Sequence, residues 1–393
     1  MIRHLEVKNF KSLRHVSLDL EQRNLLVGPN MSGKSNLIAV FRFLNRMVAP
    51  PSGVYGLPHA LDSQGGFAEL QWRGGDADLI CISLEGDFPP VKDGEESQSW
   101  EYKLEFVGTR QGVVRVQEES LILRNASSQG VLIGKHPSED WRVINSPSRG
   151  KISEVRESNR SALEFEIPDW EGNLLRRTFR LFNFFRLVPE LMKQVNPVAA
   201  PNFLGELGEN FSAWLMMIQT RFPESFNLIE RAAKDVLPDL ESLVTWPTQQ
   251  STVFTASRER FLKTPVPIWQ MSDGEIRFIG LLSLVFAPVE LAGPLYCIEE
   301  PENHLHPSMF EPLVGLLRQV QDHLGAGAPQ LVATTHSPHL VDAMKLEELV
   351  LVEKREGATI LSRPRDKKEL QELLGREEVG LGDLYYSGGL SGA

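Results

Sequence analysis

Apolar and charged residues alternate from Ile2 to Val7, and further apolar segments near Val16 to Leu20 and at Asn24 to Val27 predict two more short strands, with a turn at Lys8 to Lys11. After a glycine-rich stretch from Gly28 to Ser35 the period changes. Leu37, Ile38, Phe41 and Leu44 fall at helical spacing within Asn36 to Met47, so strand, loop and amphipathic helix form one unit. From Pro50 to about Phe185 the apolar segments are short: Ala77 to Leu84, Tyr102 to Phe106, Val113 to Val116 and Leu121 to Leu123. Clusters of Gly, Ser, Asp and Pro separate them, which predicts a β-rich insertion. Ser146 to Arg160, rich in Ser, Arg and Glu, reads as a mobile surface loop. Helical periodicity returns from Leu187 to about Leu243, clearest in Phe211 to Ile218 and Phe226 to Val236. Beyond about Val266, a strand at Leu295 to Ile298, a helix from about Met309 to His323 and strands at Gln330 to Thr334 and Glu348 to Val352 predict a mostly parallel, helix-covered sheet. The class is α/β. The expected divisions are 1–50, a lobe with the glycine-rich loop; 51–186, the β-rich insertion completing it; 187–265, a short helical insertion; and 266–393, a second lobe.

Composition narrows this only slightly. Hydrophobic residues make up 41% and charged residues 24% of 393, ordinary for a folded globular chain. Lys and Arg number 41 against 52 Asp and Glu, and the resulting −11 disfavours a surface that coats nucleic acid indiscriminately, while leaving room for a local basic groove. Cys81 and Cys297 lack the paired spacing of a zinc site or disulfide framework, which suits a reducing cytoplasm. The opening residues have no signal-peptide pattern. The longest apolar stretch, Phe278 to Leu295, contains Glu290 and two prolines and falls short of the roughly 20 apolar residues that span a bilayer, so no membrane partner is expected.

Gly28-Pro29-Asn30-Met31-Ser32-Gly33-Lys34-Ser35 fits G-x-x-x-x-G-K-S between an apolar strand and a helix, the context in which that loop cradles phosphates. Glycines let successive backbone N–H groups turn inward, and the helix N-terminus adds positive charge. Lys34 is placed to reach β and γ phosphates, and Ser35 to offer a hydroxyl to Mg²⁺, which takes oxygen ligands and keeps several waters. Downstream, Leu295 to Ile298 ends in Glu299 and Glu300, at the strand end that faces the ligand crevice of a parallel sheet. Adjacent strand residues point to opposite faces, so Glu299 is expected near Mg²⁺, with Glu300 orienting or deprotonating an attacking water.

Four further segments carry a resemblance. Ser272-Asp273-Gly274-Glu275, opening a helix, resembles the signature motif of ABC-type ATPases, although alone it is also an ordinary helix cap. Glu299-Glu300-Pro301-Glu302-Asn303-His304-Leu305-His306-Pro307 resembles the extended Walker B strand and D-loop of their SMC/RecF-like branch, which includes the ATPases of OLD nucleases. Thr334-Thr335-His336-Ser337 is similar to its switch-histidine strand, and Asn9-Phe10-Lys11-Ser12 to its N-terminal motif. The resemblance covers roughly the first 50 and last 125 residues. It implies an ABC-type ATPase head that hydrolyses ATP with Mg²⁺ and closes as a homodimer, or a higher oligomer, around two ATPs. Nucleotide contacts then fall to Lys11, Ser12, the loop from Gly28 to Asn36, and Ser272, Gly274 and Glu275 of the second copy. Glu300, His336 and Lys34 are the catalytic residues, and Ser35 and Glu299 hold the metal. His304 and His306 have no further Cys or His beside them, so they are read as loop packing or dimer contacts. In place of the usual Walker B Asp stands Glu299. Gln64, Gln71 and Gln194 are equal candidates for the glutamine loop.

Broken periodicity and frequent prolines exclude a long coiled arm. About 57 residues follow His336, too few for a further nuclease domain, and Leu381 to Leu390 reads either as a closing turn or as a docking segment. The leading expectation is an ATPase subunit controlling a separately encoded effector, a nuclease of DNA repair or anti-phage defence. An ATP-gated DNA clamp of RecF-like type is the alternative, and a transporter ATPase ranks last.

Overall fold

The computed structural model describes residues 1–75, 78–89, 97–109, 113–125, 128–135, 142–147, 149–364 and 380–386. The chain divides into two compact units, Met1–Phe182 with Glu348–Lys367, and Asn183–Glu347 with Lys368–Ala393.

In the first unit an antiparallel sheet has the order β2-β1-β4-β5-β6-β7-β8-β9. Its strands are β1 (Ile2–Phe10), β2 (Leu13–Asp19), β4 (Leu79–Phe88), β5 (Gln98–Gly108), β6 (Val114–Asn125), β7 (Ser128–Lys135), β8 (Arg142–Ser146) and β9 (Gly150–Val155). Alternation sets the register: Leu5 lies opposite Leu18 and Leu84, and Val7 opposite Val16 and Ile82, so one face is apolar. Helix α1 (Lys34–Val48) packs here, with Phe43 stacked on Phe106 at 5.4 Å and edge-on to Phe10 at 6.0 Å. Strand β3 (Arg23–Val27) pairs in parallel with β17 (Leu349–Arg355), which pairs antiparallel with β18 (Ala358–Ser362). Among the described residues the unit also has three short helices, α2 (Gly56–Asp62), α3 (Phe67–Leu70) and α4 (Asn173–Arg180).

Two sequence expectations fail here for identifiable reasons. Val113 to Val116 and Leu121 to Leu123 belong to one strand, β6, not two. The register shifts opposite Glu105 and Phe106, so buried positions run 114, 116, then 119, 121, 123, and the extra residue disguised the alternation. Ser146 to Arg160 holds strand β9 rather than forming a free loop. A buried ion pair between Glu119 and Arg142, 3.1 Å apart, anchors this region. Glu119 also accepts bonds from Tyr102, Ser161 and the amide of Ala162, while Arg142 donates to the carbonyls of Glu157 and Arg160. A buried charge persists only when so partnered.

The second unit holds a parallel sheet β10-β15-β16: β10 (Asn183–Phe185), β15 (Leu295–Glu299) and β16 (Gln330–Thr335), the last buried throughout. Among the described residues its helices are α5 (Pro189–Met192), α6 (Phe211–Arg221), α7 (Pro223–Val236), α8 (Asp273–Val285), α9 (Phe310–Leu324), α10 (Pro338–Asp342) and α11 (Leu381–Tyr386). Trp214 of α6 donates to the Ser283 hydroxyl of α8 at 3.1 Å, fastening the two helices. The stretch expected to be helical to 265 also contains a hairpin, β12 (Leu240–Pro247) with β13 (Thr252–Glu259), flanked by β11 (Asn196–Pro197) and β14 (Val266–Pro267). Val244, Thr245, Trp246, Val253, Phe254 and Thr255 favour strand, and the turn between them has Ser251 at φ 57°. Among the described residues the longest helices, α1 and α9, have 15 residues each, so these hold no long coiled coil. No helix among them is long and apolar enough to cross a membrane. The segment read as a turn or docking end begins as α11, tied by the Gly382 amide to Asp342 at 2.7 Å, and 387–390 lie outside the described residues.

Candidate functional site

In the first unit β3 ends at Val27 and the loop turns at once against β17. A Cβ on Gly28 would lie 2.1 Å from the Val352 carbonyl oxygen. At Gly33 the backbone has φ 109°, and a Cβ would lie 2.0 Å from Thr359 Oγ1 and 2.8 Å from Ser12 Oγ. Only glycine meets both demands. Met31, at φ 65°, leaves its side chain 87% exposed. Buried Lys34 bends back, its Nζ donating to the carbonyls of Gly28 at 2.6 Å and Pro29 at 2.9 Å, which closes the loop into a ring. Helix α1 starts without a side-chain cap, its positive end at the loop, and Ser35 is exposed in its first turn.

A second layer braces this ring. Asn36 Nδ2 donates to Ser12 Oγ at 2.7 Å, Ser12 and Thr359 share a hydroxyl contact of 2.6 Å, and Thr359 donates to the Ser32 carbonyl at 2.8 Å. The Thr359 amide donates to the Ser12 carbonyl at 2.8 Å. Lys11 sits at φ 51° beside this brace, and burial pulls its ammonium below the ordinary lysine pKa. Of the glutamine candidates, the Gln64 side chain donates to the Ala39 carbonyl and that of Gln71 to Asp78, each at 3.0 Å, while at Gln194 the backbone N–H donates to the Leu191 carbonyl.

In the second unit Ser272 and Glu275 form a reciprocal capping box at the start of α8: the Ser272 hydroxyl accepts from the Glu275 amide at 3.2 Å, and the Glu275 carboxylate accepts from the Ser272 amide at 2.8 Å. Asp273 takes a 2.6 Å bond from Lys193, which holds its carboxyl below the usual range. His304 lies 3.7 Å from the same carboxylate. A Cβ on Gly274 would come within 2.7 Å of the His304 carbonyl, so the loop from 300 to 306 packs directly on this turn. His306 instead caps 307–309 through Ser308.

Strand β15 stops at Glu299, in register with Thr334 of β16. Glu300 is not a strand residue: it takes φ 47°, so strand alternation does not aim its side chain. Its amide donates to the Thr334 carbonyl at 3.1 Å, and Asn303 Nδ2 holds one carboxylate oxygen at 2.8 Å. The other oxygen lies 3.8 Å from His336 Nδ1. Glu302, its side chain 5% exposed, accepts from the Thr335 hydroxyl at 2.6 Å and the His336 amide at 3.0 Å. Arg277 of α8 donates to the carbonyls of Leu187 and Glu300, each at 2.6 Å. Glu300, His336 and Glu299's neighbour Thr334 are thus gathered in one place. Arg277, Lys193 and Thr359 were not singled out from sequence, and Glu302 and Asn303 stood there only as members of the strand-end motif, without a role of their own. Arg277 did carry a signal, a guanidinium inside an apolar helical run, whereas Thr359 carried none.

Among the described residues no group of three or more His, Cys, Asp or Glu side chains is placed to hold a metal ion. The oxygen donors Ser35 and Glu299 are of the kind Mg²⁺ accepts, and the Ser32 hydroxyl, buried without a hydrogen-bond partner in the glycine cradle, suits an arriving phosphate.

A family model described as "AAA domain, putative AbiEii toxin, Type IV TA system" matches residues 23–342. An OLD nuclease of Thermus scotoductus is 23% identical over 410 residues, covering 97% of this chain and 68% of that protein. Among solved structures, an SMC head bound to the C-winged helix domain of ScpA superposes with a TM-score of 0.54 at 15% identity, covering 92% of this chain and 97% of that one. The Smc head domain of Pyrococcus furiosus, with an extended coiled coil and bound to the C-terminal domain of ScpA, gives 0.53 at 13% identity, covering 95% and 99%. Both are likenesses of fold.

Proposed function

The chain belongs to the AAA-domain family just described, an ABC-type P-loop ATPase of the SMC and OLD kind, and on that premise we propose how it works. It hydrolyses ATP while two copies are closed head to tail, each nucleotide held by Lys34 and the loop amides of one protomer and by the Ser272 turn of its mate. The observation that carries ATP binding is the cradle at Gly28 and Gly33, where any side chain would strike Val352 or Thr359. Lys34 neutralises phosphate charge, and Lys11, Ser12 and Asn36 keep the loop in shape. Ser35, in the first turn of α1, would offer its hydroxyl to Mg²⁺, which would supply positive charge to the phosphate oxygens, and Glu299 is the oxygen donor of the strand end. Glu300, fixed by Asn303, orients the attacking water or takes its proton, and His336 donates to the γ-phosphate.

Closure controls a separately encoded effector in the cytoplasm, a nuclease acting on DNA in repair or anti-phage defence. The nuclease name of the Thermus relative supports that assignment. Lys34→Ala should abolish ATP binding in a nucleotide titration and, by light scattering, leave the protein unable to dimerise with ATP. A Lys34→Ala protein that still binds ATP refutes the phosphate role. Co-purification with the neighbouring gene product under each nucleotide condition tests the effector. If no complex forms and DNA alone stimulates hydrolysis, steeply weakened by salt, the protein is a DNA clamp instead.

A further inference from the structure

We infer that Glu302 is a positioning residue that locks the switch histidine to the loop carrying Glu300, so that the two respond as one body. The inference rests on the ATPase reading above and goes beyond it by assigning a role to a carboxylate that this reading leaves unused. Glu302 stands two residues after Glu300, and its Oε1 atom alone does the holding. That atom accepts the Thr335 hydroxyl at 2.6 Å and the His336 amide at 3.0 Å, and lies 3.5 Å from His336 Nδ1. Thr335 Oγ1 in turn accepts the Ser337 amide at 3.0 Å, so a single oxygen organises the backbone on both sides of His336. The second oxygen, Oε2, is buried with no hydrogen-bond partner.

A buried carboxylate is costly to keep out of water. Arg277 offsets part of this cost: its guanidinium, lowered in pKa chiefly by burial, is stabilised by the charges of Glu302 and Glu300. The same arginine bonds the Glu300 carbonyl from α8, the helix opened by Ser272. A shift of α8 is therefore felt at Glu300 through Arg277 and at His336 through Glu302.

The holding depends on reach, not on charge, and this separates the variants. Glu302→Gln keeps the accepting oxygen and replaces only the unpartnered one. Glu302→Asp keeps the charge but withdraws the oxygen by one methylene, and Glu302→Ala removes it. Misplacing a reacting group by about 1 Å can cost about a hundredfold, so kcat should fall about 30- to 100-fold in Glu302→Ala and nearly as far in Glu302→Asp. Glu302→Gln should stay within about threefold of wild type, and the ATP dissociation constant should change less than about threefold in all three. Amide hydrogen exchange at His336, followed without nucleotide, should quicken in the Ala and Asp proteins and not in Gln. Wild-type kcat in Glu302→Ala, a Gln protein as impaired as Ala beside an active Asp protein, or unchanged His336 exchange in Glu302→Ala would each overturn the inference. If wild-type protein hydrolyses no ATP, the ATPase reading fails instead, and the exchange measurement still judges Glu302.

Discussion

Replacing Thr359 with valine should weaken ATP binding although Thr359 lies more than 300 positions from the phosphate loop in sequence. The hydroxyl stands in the middle of a one-way chain of protons. Because the Ser32 carbonyl can only accept, Thr359 must donate to it, and so Ser12 must donate to Thr359, while Asn36 donates to Ser12. Valine keeps the branched shape that suits β18 and deletes the central atom. The Ser32 carbonyl loses this donor in a buried setting, at about 1–3 kcal/mol for a buried group left unpaired, and the half-buried Ser12 hydroxyl loses its acceptor at a smaller cost. If about 1.4–2.7 kcal/mol of that falls on the shape of the loop, the ATP dissociation constant rises about 10- to 100-fold. Isothermal titration with a non-hydrolysable ATP analogue measures the shift. Thr359→Ser, which keeps the hydroxyl and loses only the methyl, should bind within about twofold of wild type. Valine binding as tightly as wild type, or serine as weakly as valine, would refute the reasoning.

Glu300→Gln should still bind ATP but hydrolyse it at least about a hundredfold more slowly, accumulating dimer in gel filtration with ATP; hydrolysis at the normal rate would move the water-orienting role elsewhere. Asp273 has its folded-state pKa lowered by Lys193, so the stabilisation is present above the ordinary carboxylate pKa and lost as pH falls through the lowered one. With side chains 38% and 25% exposed, the pair is worth at most about 1 kcal/mol, and thermal melts of wild type and Asp273→Asn should differ slightly at neutral pH and converge in acid. Burial pushes the Cys81 thiol up to about 12, and Cys297 is also buried, so Ellman's reagent should label neither cysteine in the native protein and both after denaturation.

Sequence was a good guide wherever function demands a local pattern. Gly28 to Ser35 announces its own strand, loop and helix because the phosphate cradle is built from consecutive backbone groups, and Ser272 with Glu275 announces a capping box within four consecutive residues. It was a poor guide wherever one residue is held by another far away. The hairpin at 240–259 fell in a stretch read as helical, the bulge in β6 broke the alternation that marks a strand, and the Glu119–Arg142 pair that orders 142–162 joins segments with no shared pattern. Thr359 belongs to the same class: a threonine in a hairpin is unremarkable until β17 and β18 carry it to the loop.

Glu300 shows why the acidic strand end needs so much support. An extended backbone would have aimed its side chain by simple alternation from Glu299, but a left-handed turn at φ 47° stops β15 there. Such a conformation costs a non-glycine residue about 1–3 kcal/mol and persists only when its surroundings over-determine it. They do: β16 receives its amide, Asn303 and Arg277 both donate to its carbonyl, and Asn303 holds its carboxylate. Glycine at 300 would relieve the turn but remove the acid, and the chain keeps the acid. The strain is therefore best understood as the consequence of turning a carboxylate out of the strand toward His336, and the bonds from three separate segments are what allow one residue to serve both as a turn and as the acid.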